Sequence, residues 1–302
     1  MVREIQYTAP QSVIDAVRSL GRTEDVRFSP SKQRLAIASF LRNRVVVFDI
    51  APSSGATQIA LTGGVELSSS ALQLPHGLDF IDDDTLIVTS RGSDVALFKL
   101  PPGDELVRTC EVSPINRWPA NGTTLLDAPG SVAVSRVEES VCEVLICNND
   151  GNTVTRHQLD RDAEYSLRKS EILLHDDLDI PDGVSVSPDR RWIAVSNHNM
   201  RNVMLYENSP LLSPAAQPSA ILRCNQYPHG LRFSGDARYL FVADAGAPCL
   251  HIYAQDSDRW QGVRHPAATI KIMDDAIFKK GRQNREEGGP KGLDIDPSSN
   301  VL

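Results

Sequence analysis

PDGVSVSPDRRWIAVSNHNMRNVMLYE, residues 181–207, holds three short apolar runs, GVSVS, WIAVSN and NVMLYE, divided by two polar turns. Val184 and Val186 alternate with Ser185 and Ser187. Period-two alternation in runs this short, bounded by Pro, Asp, Asn and Gly, is the pattern of antiparallel strands joined by tight turns. The opening run recurs along the chain as VRFSP (26–30), GLDFI (77–81), SVAVS (131–135), GLRFS (230–234) and GLDIDP (292–297). Second runs recur as RLAIAS (34–39), TLIVTS (85–90), EVLICN (143–148) and YLFVAD (239–244). Third runs are VVVFDI (45–50), DVALFKL (94–100), TVTRHQL (153–159) and CLHIYA (249–254). Apolar linkers such as QIALT (58–62), SEILLH (170–175) and AATIKI (267–272) supply a fourth strand.

The residue before each opening run is Glu24, His76, Gly130, Asp182, His229 or Lys291, giving steps of 52, 54, 52, 47 and 62. Four short strands repeated at about this period mark a propeller blade. No blade buries both faces alone, so the blades must stack around an axis. The expectation is an all-β, six-bladed β-propeller forming one domain over residues 1–302. The last blade is expected to be incomplete at the C-terminus, with REIQYTA (3–9) helping to close it.

These phrases, above all 181–207 and PHGLRFSGDARYLFVADAG at 228–246, resemble six-bladed propellers of the NHL and SMP-30/gluconolactonase type. The resemblance implies a small-molecule site at the channel mouth and metal-assisted hydrolysis of a lactone or ester. Lactonases of that type hold their cation with a Glu, two Asn and an Asp at inner-strand starts. Glu24 and Asp182 match those types and positions, and Asp182 would serve as both ligand and base. The two Asn are absent, and His76 and His229 stand at candidate ligand positions. The alternative is a non-catalytic NHL-like scaffold that presents a face to a protein partner.

Read on their own, these residues make a similar site. In a six-membered ring Glu24 opposes Asp182, His76 opposes His229 and Gly130 opposes Lys291. Two carboxylates and two imidazoles on one axis suit a divalent cation such as Ca, Zn or Mg. Lys291 either binds substrate or neutralises the carboxylates. A second ring lies at the ends of the second strands, including Asn148 and Asn197, with Arg91, Asn149 and His198 beside it. Asn148 and Asn197 are candidate substrate-binding amides, although strand-end Asn is usually a turn former, and this ring is expected on the opposite face. The bland reading of His76 and His229 is a hydrogen bond to a neighbouring blade. For Glu24 and Asp182 it is a turn cap.

The insertion 264–290 is expected to overhang the mouth, with DDAIFKKGRQ forming a short helix or ordered turn. The chain carries 31 Lys plus Arg against 39 Asp plus Glu, a net charge of −8. That balance disfavours nucleic acid, and no apolar run is long enough for a membrane span. Five cysteines without CxxC spacing and a polar start point to a cytoplasmic protein. No nucleotide-binding glycine loop, GxSxG elbow or HExxH is present.

Overall fold

The computed structural model describes residues 6–51, 58–92, 94–120, 124–223, 225–282 and 284–295. Five four-stranded antiparallel blades are present among them, rather than six. Blade one runs through Thr23–Phe28, Arg34–Ser39, Arg44–Ala51 and Gln58–Ser68. Blade two has Pro75–Asp82, Thr85–Ser90, Asp94–Lys99 and Asn116–Pro119. Blade three has Pro129–Val137, Val141–Asn148, Thr153–Asp160 and Ser166–Leu174. Pro181–Val186, Trp192–Asn197, Asn202–Glu207 and Ala220–Leu222 make blade four, and Pro228–Phe233, Tyr239–Asp244, Cys249–Ala254 and Ala268–Lys271 make blade five.

The hydrophobic cores lie between blades. Val45, Leu67, Leu86 and Phe98 join blade one to blade two. Ile87, Leu97, Val144 and Ile146 join two to three. Leu145, Val154, Val195 and Tyr206 join three to four, and Ala194, Leu205, Leu240 and Tyr253 join four to five. The inner strands are therefore apolar on both faces, which explains runs such as TLIVTS that are buried at every position.

The free faces of blades one and five are covered differently, and this corrects the six-blade expectation. Helix α1, Gln11–Ser19, follows Pro10. Its Val13, Ala16 and Val17, with Leu20, form an i, i+3, i+4, i+7 stripe against Val46, Phe48 and Leu61 of blade one. Of the run 3–9, residues 3–5 lie outside the described residues, and Gln6–Thr8 adds in parallel to the outer strand of blade one rather than to a sixth blade. Leu293, from the sixth unit, packs on Ala243 and Leu250 of blade five.

The sixth unit still closes the ring at its innermost position. Gly230 N donates to Lys291 O at 2.9 Å, and Phe28 N donates to Asp294 Oδ2 at 2.8 Å. A Cβ on Gly292 would lie 2.6 Å from Asp25 Cα and 2.9 Å from Val26 N, both backbone atoms that cannot step aside. Gly292→Ala is expected to lower stability by about 1–3 kcal/mol, the usual cost of overpacking. Urea denaturation checks this, and an unchanged midpoint would show that 291–295 does not wedge between blades five and one.

Candidate functional site

In all five blades the inner ladder slips at the same place, between Thr23 and Val26, Pro75 and Leu78, Pro129 and Val132, Pro181 and Val184, and Pro228 and Leu231. A bulge frees its residues from cross-strand pairing and re-aims their side chains. The slipped residues include Glu24, His76, Asp182 and His229, all buried. Small neighbours permit this: a Cβ on Gly77 would sit 2.6 Å from Gly130 O. Second-strand hydroxyls take up the displaced N–H groups, with Gly77 N donating to Thr89 Oγ1 at 2.9 Å and Gly183 N to Ser196 Oγ at 2.6 Å.

The four ring residues converge. His76 and His229 stack with centroids 5.4 Å apart. Glu24 Oε2 lies 3.3 Å from His229 Nε2, 3.7 Å from His76 Nε2 and 2.9 Å from Lys291 Nζ. Asp182 Oδ1 accepts from Arg91 at 2.9 Å and from Asn149 Nδ2 at 3.0 Å, and lies 3.5 Å from His76 Nε2. Asp182 Oδ2 lies 3.1 Å from His229 Nδ1 and 3.5 Å from His198 Nε2. His229 thus stands between two carboxylates, one at each ring nitrogen. Lys291 bridges Glu24 and Glu287, while Gly130 brings no side chain.

Arg91, Asn149 and His198 show that the second-strand ends share the mouth face, contrary to the opposite-face expectation. The reason is local. In an antiparallel pair the end of strand two lies beside the start of strand one, and Pro75 pairs Ser90, Pro129 pairs Asn148 and Pro181 pairs Asn197. The residue after each pair then points at the mouth. Asn148 and Asn197 themselves stand apart from the cluster. Asn148 Oδ1 accepts from Asp127 N at 3.0 Å, and Asn197 Oδ1 accepts from Asp179 N at 2.7 Å, so both amides are spent holding loops.

Charge in the cluster is balanced. Glu24, Asp182 and Glu287 face Arg22, Arg91 and Lys291. Burial opposes ionisation of Glu24, but the His229 hydrogen bond and the neighbouring His76 and Lys291 hold its carboxyl well below the usual range. Burial likewise opposes ionisation of Asp182, and the three surrounding imidazoles outweigh it. Burial holds His76 well below, and His198 below, the ordinary histidine value, with Arg91 adding to the effect. At neutral pH the carboxylates are charged and these two imidazoles are neutral. These are the protonation states that metal ligands require.

Two three-donor groups share His229: Glu24, His76 and His229, and Asp182, His198 and His229. Tetrahedral zinc with bonds near 2.0–2.1 Å spaces its ligands by about 3.3 Å, close to the separations within this cluster. The first group already binds Lys291. In the second, Asp182 Oδ2 and both ring nitrogens of His198 are buried without a hydrogen-bond partner among the described residues, as is Asn149 Oδ1 nearby. Nitrogen-rich donors suit zinc better than calcium or magnesium, which favour oxygen. The space inside the ring, bounded by Glu24, His76, Asp182 and His229, is about 10 Å³. That holds no more than a water or an ion.

A larger space lies beside the ring. A cavity of about 580 Å³ is lined by His198, Tyr227, Asn199, Arg201, Gln226, Gly246, Arg282, Arg285 and Glu286. Tyr227 packs on the His198 ring at 4.1 Å. The insertion forms one wall, as its position predicts: helix α2, Asp275–Gly281, leads into a segment tied down by Gly288 and Gly289 N–H groups on Ala245 O at 2.9 and 2.8 Å.

In a third three-donor group, Asp244, Cys249 and His251, the carboxylate is already engaged. Asp244 accepts from Gln226 N, Tyr227 N and Gly246 N at 2.7, 2.8 and 3.0 Å. Although burial opposes it, the Asp244 contact pushes the His251 imidazole up to about 9.

No family model matches the chain, and no curated protein matches it. Solved structures do. A functionally unknown protein from Desulfotomaculum acetoxidans DSM 771 is similar over 79% of this chain and 67% of its own, with TM-score 0.52 and 13% identity. A nidogen/laminin complex is similar over 79% of this chain and 80% of its own, with TM-score 0.53 and 12% identity. At these identities the likeness shows the β-propeller fold alone. Among the described residues no helix is long and apolar enough to cross a membrane.

Proposed function

We propose that the protein is a small-molecule hydrolase of the ester or lactone class, with a divalent-ion centre at Asp182, His198 and His229. The observation that carries this reading is the pair of buried groups without hydrogen-bond partners among the described residues, Asp182 Oδ2 inside the ring and the His198 ring nitrogens, with His198 also lining the 580 Å³ cavity. Unpaired buried polar atoms are costly, and two imidazoles with one carboxylate leave coordination positions open on the cavity side. A bound ion would supply a Lewis acid for a carbonyl oxygen. Glu24 and His76 then stand behind the centre instead of ligating it. Glu24 fixes the far nitrogen of His229 and so its ring orientation, the role that outer partners take around metals. Arg91 and Asn149 hold Asp182 by Oδ1, so that Oδ2 faces His229 Nδ1 and His198 Nε2. Tyr227 sets the tilt of His198, and the closed ring excludes bulk water from the carboxylates.

The test loads purified protein with zinc or manganese, removes free ion and measures retained metal, then assays aryl esters and lactones. Stoichiometric metal and turnover are expected for the wild type. His198→Ala is expected to lose the metal and at least about 100-fold in kcat/KM. A wild type that retains no metal and turns over no substrate overturns the reading.

That outcome would favour an interaction scaffold. The filled channel supports this second reading, since the ring leaves only about 10 Å³ inside. A similar propeller is known in a nidogen/laminin complex.

A further inference from the structure

We propose that the cavity beside His198 binds a small organic anion, whose carboxylate or phosphate oxygens are taken by Arg201, Arg282 and Arg285. This rests on the reading of the mouth as a small-molecule site and gives the charge of what it takes.

The cavity volume, about 580 Å³, lies within the range of ligand pockets. Its lining holds three guanidinium groups against one carboxylate, Glu286, a local excess of two positive charges on a chain of net charge −8. These arginines differ from most others in the protein. Arg44 pairs with Glu66, Arg117 with Asp94, Arg156 with Glu171 and Arg168 with Asp160. Among the described residues neither Arg201 nor Arg285 has an ion-pair partner, and Arg282 lies over the Phe278 ring at 5.3 Å.

They reach the cavity from two separate elements. Arg201 sits in the turn between the second and third strands of blade four, in a left-handed conformation with φ 52°. Arg282 and Arg285 come from the segment after α2, which Ala245 anchors. Guanidinium forks brought to one cavity from two elements match the planar, divided charge of a carboxylate or phosphate. The same cavity is lined by His198, 1% exposed, whose Nδ1 has no hydrogen-bond partner among the described residues and whose Nε2 lies 3.5 Å from Asp182 Oδ2. An anion seated on the arginines would bring the rest of its molecule against that histidine. A merely solvated basic patch needs neither a concavity nor an unsatisfied buried group beneath it.

Calorimetric titration of the metal-free full chain, at constant ionic strength, uses succinate, inorganic phosphate and uncharged glycerol as probes. Saturable binding of succinate or phosphate is expected, with none for glycerol. The stronger of the two anions identifies the preferred group. Arg201→Gln/Arg285→Gln, both exposed positions, is expected to weaken binding at least about tenfold without moving the urea midpoint. Failure of both anions to bind the wild type, or equal binding by the double variant, overturns the proposal. Anion binding without metal retention or turnover leaves it standing and removes the hydrolase reading. Turnover of uncharged esters without anion binding does the reverse.

Discussion

Asp182→Ala is expected to abolish ion retention, weakening zinc or manganese binding by more than about 100-fold, the upper end of what loss of even an outer partner costs. The carboxylate is the only negatively charged member of its three-donor group, and it keeps one oxygen unbonded among the described residues. The stability cost is smaller, about 1–3 kcal/mol. Removing a buried charge partner usually costs more, but the Arg91 side chain is 29% exposed and can turn to water. Asp182→Asn separates the two effects. It keeps an oxygen toward Arg91 and the shape of the site, so the fold survives and the ion does not bind. Zinc titration and urea denaturation of both variants check this. Undiminished zinc affinity in Asp182→Asn would place the ion elsewhere.

Arg27→Ala is expected to cost about 3–5 kcal/mol of stability, because it strips the cation from a fully buried ionic layer. Arg27 lies one layer below the mouth, bonded to Asp25 at 2.5 Å and to Leu293 O at 3.1 Å. The aspartates here staple inner strands across blades. Asp25 accepts from Leu78 N at 3.2 Å, Asp79 from Val134 N at 2.8 Å and Asp294 from Phe28 N at 2.8 Å. Burial raises all three carboxyls, that of Asp79 to about 7, although Arg27 restrains each. A carboxyl raised in the folded state binds more protons there than in the unfolded chain, so stability falls as pH climbs from the ordinary value, 3.8, to the folded one. Without Arg27 the folded values rise further, and the deficit of the variant grows with pH. Urea midpoints near about pH 5 and about pH 8 read this directly. Equal deficits at both would mean that the carboxyls do not depend on Arg27.

Much of the fold is legible in the chain. The three apolar runs of residues 181–207 form the three strands they spell, and the fourth-strand linkers 58–62, 170–175 and 267–272 are strands for all or most of their length. His76, Asp182 and His229 meet as their common register requires. His198 is harder to read. It comes one residue after a second strand, and its signal is hairpin pairing, which returns that position to the face where the first strand starts. The sixth unit misleads because its opening phrase is intact. Its remainder, residues 296–302, lies outside the described residues, and α1 covers the exposed face of blade one with an apolar stripe that resembles no blade strand.

Alternation, turn residues and a period near fifty were enough to determine strands, their grouping into blades and their closure about an axis, since each depends on neighbours in the chain and on burying two apolar faces. Tertiary structure alone decided the number of full blades, the division of His229 between Glu24 and Asp182, and which buried atoms stay unbonded. Those properties belong to side chains brought together from distant parts of the chain, where packing within a few ångströms sets charge, hydrogen bonding and room for a ligand.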